Sequence, residues 1–509
     1  MPDKSRNLTG KAGVVVFARI VTTVIDLAIV IAIIRILSKT DFAIIGYLLM
    51  IHEVARNLAT LGFPDSVFYF FERVAGSARK GFVLQTTFVL LATALVAAAF
   101  ILFISALVPS LLPEWDAQSI TTVQHLLPVM ALIALLEIPT WPVSNILLAI
   151  DRQKESAWYE MATSLMIVVF LVGPLALGYD LEIAIYGMLA YAVIRLIGSL
   201  IWMKLVLPEG KLSDSKITLR QQFNFAIPLG LSSLVNKINR YTDKFVVSVL
   251  LPATAYAEYT VGAQEVPIIR VIPFAVGSVL ISRYVAYQLE GKREELVQLW
   301  YKGIQKVSLL VVPLTIASII IASDLIALVA ETEDTDYRNS VAPFMIYNLI
   351  VLLRITNYGS ILQAYGDTKG VFYLSLNLVA ANIILSIPLT LMYGIIGTAA
   401  GTFIANFYNW WITLRRISGH MELPVSKVLP FPFYLKLITI AGITALPVWY
   451  SRYFFIAEES VLIGLIYSLI VYLILFSITG TTLRVITRKD WRQFKDWLML
   501  RFLSSKIVS

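Results

Sequence analysis

The sequence predicts an all-α polytopic membrane protein with fourteen transmembrane helices: two parallel six-helix repeats forming two lobes, then two C-terminal helices. Three observations carry that prediction. Of the 509 residues 58% are hydrophobic, the mean hydropathy is +0.79, and the apolar runs repeatedly exceed the roughly 20 residues that cross a bilayer as helix. The Lys and Arg residues collect in alternate loops. Sliding the chain on itself by about 215 positions superposes punctuating residues: Gly62 on Gly277, Gly76 on Gly291, Pro128 and Met130 on Pro343 and Met345, and Lys154 on Lys369.

In chain order the spans are 13–37, 42–66, 82–108, 121–150, 157–177, 183–205, 223–250, 256–282, 303–330, 341–365, 371–392, 396–414, 433–451 and 460–483. The first follows a polar, basic start, is too long for a signal peptide and lacks a small-residue cleavage motif, so it reads as a retained span. Few stretches show the ten-residue alternation of an outer-membrane barrel. The amino terminus, ERVAGSARKG (72–81), DRQKES (151–156), 204–222, 283–302, GDTKG (366–370), 415–436 and the tail, with Lys306, hold 29 of the 41 Lys and Arg. The opposite loops hold only Lys39, Arg338 and Arg452. The positive-inside rule then puts both termini in the cytoplasm of a multi-pass cell-membrane protein.

The repeat divides the chain at 1–208, 209–421, 422–483 and a basic tail, 484–509. Six spans per repeat is an even number, so both halves enter the membrane in the same direction, as in transporters built from parallel repeats. The net charge of +8 is explained by this loop bias. The tail reads as a segment near anionic lipid, not as a nucleic-acid site.

Span 7 departs from the apolar pattern. On a helical wheel Asn236, Lys237, Asn239, Arg240, Asp243 and Lys244 occupy one half and Leu234, Ile238, Thr242, Phe245 and Val249 the other. Each charge at a helix centre costs roughly 2.5–3.5 kcal/mol on insertion scales, so this face meets a watery cavity or partners. Span 1 carries Arg19 and Asp26 on one face, span 2 Glu53 and Arg56, and span 8 Glu265 and Arg270. HEV (52–54) and QEV (264–266) sit similarly in the two halves, so spans 1, 2, 7 and 8 read as walls of one vestibule. The bland alternatives stay open: Arg35 as a snorkelling side chain, and Glu53–Arg56 and Glu265–Arg270 as pairs that lock helices.

Nine deep cations, Arg195 and Arg354 among them, face five carboxylates, Asp26, Glu53, Glu137, Asp243 and Glu265. That excess favours an anionic cargo with phosphate oxygens. The carboxylates either balance charge or couple transport to Na⁺ or H⁺. No cofactor or metal site is expected, since there is no Walker loop, no cysteine and only three scattered histidines. The acidic loop 331–339 reads as solvated, Pro139 and Pro142 as a bend after Glu137, and Gly397 with Gly401 as a close helix contact.

RILSKTDFAIIGY (35–47), LGFPDSVFYFF (61–71), YTDKFVVSVLL (241–251) and LQAYGDTK (362–369) together resemble the multidrug/oligosaccharidyl-lipid/polysaccharide exporter superfamily, in particular its O-antigen-type oligosaccharide flippases. The resemblance runs nearly end to end. It implies movement of polyisoprenyl-phosphate-linked sugars to the outer leaflet by two alternately opening lobes. It also implies that Arg19, Lys237, Arg240, Lys244 and Arg270, with Arg56, hold the pyrophosphate and acidic sugars, and that spans 13 and 14 form a groove for the lipid tail. Membrane lipid, the lipid-linked oligosaccharide and glycan polymerase or glycosyltransferase machinery are the expected partners. The rivals are a membrane glycan polymerase, ligase or glycosyltransferase, for which the short outer loops offer little catalytic surface, and a drug or small-metabolite exporter of the same superfamily.

Overall fold

A computed structural model describes residues 3–71, 73–207, 209–456 and 460–492, with side chains throughout except at 3–16, 232, 233, 236 and 455. Residues 493–509 of the expected basic tail and the side chain of Asn236 lie outside that description. The described chain is helical, with no strand among its residues.

Contacts divide it into two compact units, Met1–Thr260 with Thr332–Thr335, and Val261–Glu331 with Asp336–Ser509. The first contains α1 (Asp3–Ile36), α2 (Lys39–Thr60), α3 (Phe63–Phe71), α4 (Ser77–Leu111), α5 (Ala117–Glu137), α6 (Val143–Ala149), α7 (Gln153–Ile167), α8 (Gly173–Ala176), α9 (Leu181–Val206), α10 (Leu219–Leu250) and the start of α11 (Ala253–Gly262). The second contains α12 (Pro267–Leu289), α13 (Arg293–Ile320), α14 (Ala322–Ala330), α15 (Val341–Leu353), α16 (Tyr358–Ala364), α17 (Thr368–Met421), α18 (Phe431–Phe455) and α19 (Val461–Thr482). The lobe expected from the repeat stops at 208. Packing carries the first unit further, because α10 lies on α2 and α3, Tyr256 of α11 packs against Trp115, and Lys39 pairs with Glu258 at 2.5 Å.

Among the described residues, twelve helices are long and apolar enough to cross a membrane. That count does not include α10 and takes α17 once. Gly394 breaks α17 with φ 60°. Its arms fold back on each other: Asn377 Nδ2 donates to Asn409 Oδ1 at 3.2 Å, the Thr390 and Thr398 hydroxyls meet at 2.7 Å, and a Cβ on Gly401 would lie 2.8 Å from Ser386 Cα. Small residues therefore do set this contact, as the Gly397–Gly401 spacing predicts. Two arms of α17 together with α10 are consistent with fourteen spans.

The duplication is visible in backbone geometry. Positive φ recurs at Gly76 and Gly291, Asp151 and Gly366, and Gly178 and Gly394, offsets of 215, 215 and 216 residues. The fourth span of each half is also broken. α5 ends at Glu137 and a 3₁₀ turn, Ile138–Thr140, leads to α6, because Pro139 and Pro142 have no N–H to continue the ladder; α15 likewise stops at Leu353 before α16 starts at Tyr358. Around Trp300, whose Nε1 donates to the Val428 carbonyl at 2.9 Å, the second unit buries an apolar core that includes Leu414, Leu437 and Tyr472.

The GDTKG turn is anchored by Asp367. Its carboxylate accepts from Arg416 Nη2 at 2.8 Å, meets His420 Nε2 at 2.7 Å and caps α17 by accepting from the Gly370 N–H at 3.0 Å. The Arg416 hydrogen bond, assisted by His420 and the cap, holds this carboxyl well below the usual carboxylate range. A depressed acid stabilises the fold fully above its unfolded value, about 3.9, and that stability is lost only as pH falls through the lower folded value. Asp367→Ala is therefore expected to lower stability at pH 7 by about 2 kcal/mol, a cap plus a half-exposed ion pair. Thermal unfolding in detergent checks this, and the variant should also lose part of the wild-type decline below about pH 4.

Candidate functional site

The position of α10 is set by polar and steric contacts near its start. Thr218 and Gln221 form a capping box, and the Gln222 side chain, fully buried, accepts from Gln85 Nε2 at 3.0 Å and donates to Thr86 Oγ1 at 2.7 Å on α4. Two glycines then let backbone meet backbone. Gly62 (φ 76°) follows the left-handed Leu61 at the break between α2 and α3, and a Cβ there would lie 2.6 Å from the Ala226 carbonyl. A Cβ on Gly230 would reach to 2.6 Å from Leu61 Cα.

This contact brings Lys237 to α2, where its Nζ donates to Asn57 Oδ1 at 2.7 Å. Asn57 Nδ2 in turn donates to Glu53 Oε1 at 3.1 Å, and Glu53 pairs with Arg56. Behind them lies Glu137, at the end of α5. Its carboxylate accepts from Arg195 Nη1 of α9 at 2.7 Å, with Arg56 Nη1 at 3.9 Å and His52 Nε2 at 3.3 Å. Arg195 also donates to Tyr191 Oη at 2.8 Å and Tyr159 Oη at 3.3 Å. Both guanidinium groups lie over the Trp141 ring, with Cζ 4.0 Å (Arg56) and 5.1 Å (Arg195) from its centroid, a cation–π arrangement in which the ring face attracts the cations.

A cavity of about 580 Å³ opens against this network, within the first unit. Helix α1 contributes Thr22 and Asp26, α2 contributes Arg56 and Asn57, α9 contributes Arg195 and α10 contributes Lys237. Asp65, Glu160 and Ser164 complete its charged and hydroxylated side, with Ser164 beside Asp26 and Ser144 Oγ donating to Glu160 Oε1 at 2.6 Å. The lining is thus polar and mixed in sign, with four carboxylates (Asp26, Asp65, Glu137, Glu160) and three cations. The sequence count of deep charges omits Asp65 and Glu160, though both fall inside the spans as drawn, and it does not mark Asn57 or Trp141. Asn57 sits one turn beyond Glu53 on the same face, and Trp141 lies between the two prolines of the bend.

The remaining expected site residues have distinct settings. Arg19 and Arg240 are exposed, and neither side chain has an ion-pair or hydrogen-bond partner among the described residues. Asp243 is buried away from the cavity and accepts from Tyr259 Oη at 2.9 Å and from the Lys244 N–H at 2.8 Å. Lys244 is half-buried. In the second unit Glu265 pairs with Arg354, at 2.8 Å, and not with Arg270. Arg354 comes from the broken fourth span and also donates to Asn406 Oδ1 at 2.6 Å, while Arg270 stays exposed. No group of three or more His, Asp and Glu residues among the described residues converges in a way that would hold a metal ion.

Solved structures share this fold. Lipid II flippase MurJ, in an inward closed conformation, matches with a TM-score of 0.69 at 16% identity over 92% of this chain and 99% of that one. An inward-facing multidrug resistance MATE family transporter of the MOP superfamily matches with a TM-score of 0.59 at 15% identity, over 78% and 95%. A MOP superfamily transporter from Pyrococcus furiosus matches at 0.54 and 12%, over 82% and 96%. No curated protein sequence matches the chain. The model of the polysaccharide biosynthesis protein family matches residues 8–281. With more than half its length under that model, the chain belongs to the polysaccharide biosynthesis protein family.

Proposed function

We propose that this protein is a flippase. It carries a polyisoprenyl-(pyro)phosphate-linked oligosaccharide or polysaccharide repeat unit from the cytoplasmic to the outer leaflet of the cell membrane, by alternating access between two lobes. The observation that carries this reading is the set of cations on one short stretch of α10. Lys237 lines the cavity, and Arg240, one turn further on, is exposed; Arg19 of α1 is exposed as well. None of these three forms a salt bridge among the described residues; guanidinium and ammonium groups at membrane depth are costly unless a ligand, neighbouring charge or water compensates them, and phosphate oxygens are a ligand that suits them. The family's role in polysaccharide biosynthesis supports a glycan cargo. The match to a lipid II flippase over 92% of this chain, against 78% for the drug transporter, supports a lipid-linked one. The termini lie in the cytoplasm in this reading, and the glycan polymerases or glycosyltransferases that consume the product are its working partners.

The test is translocation of a labelled lipid-linked oligosaccharide in proteoliposomes. Lys237→Ala and Arg240→Ala are each expected to slow it by about tenfold or more, the loss of one charge-assisted hydrogen bond, with thermal unfolding close to wild type. Normal rates in both variants sink the proposal. In cells, depletion should accumulate inward-facing lipid-linked sugar; accumulation of short outward-facing units instead indicates a polymerase or ligase.

A further inference from the structure

The balance of charge in the cavity of the first unit bears on which glycans the protein accepts. Arg195 and Arg56, two of its three cations, are directed at Glu137 and the Trp141 ring. Arg56 is also paired with Glu53. They offer little to a ligand. Lys237 is the remaining cation, and one of its three N–H donors is already committed to Asn57. The other three carboxylates line the cavity and form no salt bridge among the described residues. Asp26 has the Ser164 hydroxyl beside it, Glu160 accepts a hydrogen bond from Ser144, and Asp65 is exposed. A volume of about 580 Å³ lies within the roughly 300–1,000 Å³ typical of small-molecule sites. Carboxylates, which only accept hydrogen bonds, suit ligands rich in hydroxyl or ammonium donors. Any anion entering here meets three like charges.

We infer that this cavity is a glycan subsite for neutral or amine-bearing sugar units and that it discriminates against acidic, uronate-type sugars. The inference rests on the flippase reading and divides the labour within it. The phosphate of the carrier engages the exposed cations Arg240 and Arg19, neither of which lines the cavity, and the sugars engage the carboxylate side. It departs from the acidic-sugar cargo that the sequence resemblance implies, because the carboxylates reach the cavity from α1, α3, α5 and α7 and only the folded chain brings them together.

The test uses the full-length protein in nanodiscs and three soluble oligosaccharides of equal length: a neutral glucan, a glucosamine oligomer and an oligo-uronate. Saturation-transfer NMR and calorimetry should detect the first two, with the uronate at least about tenfold weaker because of like-charge repulsion. Asp65→Asn, at an exposed site, and Glu160→Gln should each bring the uronate closer to the neutral glucan. An oligo-uronate that binds as tightly as the glucan overturns the inference, and so does failure of all three to bind. Translocation separates the two readings. If neutral and uronate-bearing lipid-linked glycans cross at equal rates, the subsite assignment falls and the flippase stands. If neither crosses while the soluble glycans still bind with the expected order, the flippase reading falls and the subsite stands.

Discussion

Glu137→Ala is expected to destabilise the protein by about 3–5 kcal/mol, the cost of leaving a buried charge without its partner. Glu137 is 5% exposed and Arg195, its closest partner, has a side chain 9% exposed. Without the carboxylate, Arg195 retains the Tyr191 and Tyr159 hydroxyls and the Trp141 ring but no anionic partner among the described residues, and Arg56 loses one of its two carboxylate neighbours. The measurement is the thermal midpoint and the yield of monodisperse protein in detergent. The double variant Glu137→Leu with Arg195→Met should recover much of the loss, because removing both members of a buried pair is far cheaper than removing one. A single variant with wild-type stability would mean that the network contributes nothing to the fold.

Gly230→Val is expected to have a comparable effect by a different route. The added side chain would begin 2.6 Å from Leu61 Cα and close to the Leu61 carbonyl, where no side-chain rotation relieves the clash. Overpacking of this kind costs about 1–3 kcal/mol, more where backbone is in the way. Relief requires α10 to move away from the break between α2 and α3, which would pull Lys237 from Asn57. Transport should therefore fall even at temperatures where the variant remains folded. Gly230→Ala, with a smaller volume to accommodate, should fall between the variant and wild type. Thermal unfolding and the proteoliposome assay, run in parallel, distinguish lost stability from a misplaced helix.

The spans were legible because burial in lipid demands long apolar runs whose backbone is satisfied within each helix, and that demand is written locally in the residues. The repeat was legible for a related reason. Positions such as Gly76 and Gly291 take positive φ, which an L-residue adopts only with strain, so glycine recurs there. Span 7 also announced itself, since a run of charges at membrane depth has no reading as a lipid-facing helix.

The Glu53–Arg56 pair, three residues apart on one helix, was legible; which charges meet across helices was not. The wheel groups Asp243 with Lys237 on one half of α10, yet Asp243 is buried against Tyr259 of α11, because a wheel gives direction around one axis and says nothing of what stands opposite. Glu265 lies five residues from Arg270 but pairs with Arg354, 89 positions away. Glu137 reads in the sequence as one deep carboxylate beside two prolines. In the fold it is the centre at which α2, α5 and α9 bring His52, Arg56 and Arg195 together.

Local chemistry by itself determined that this chain is a duplicated, many-spanning helical membrane protein with charge held inside, since hydropathy, loop charge and glycine placement act over a turn or a span. Only tertiary structure decided the sign and partners of that charge, including a cavity in which carboxylates outnumber free cations. Electrostatic pairing depends on distances of a few ångströms between side chains remote in sequence, and packing alone sets those distances.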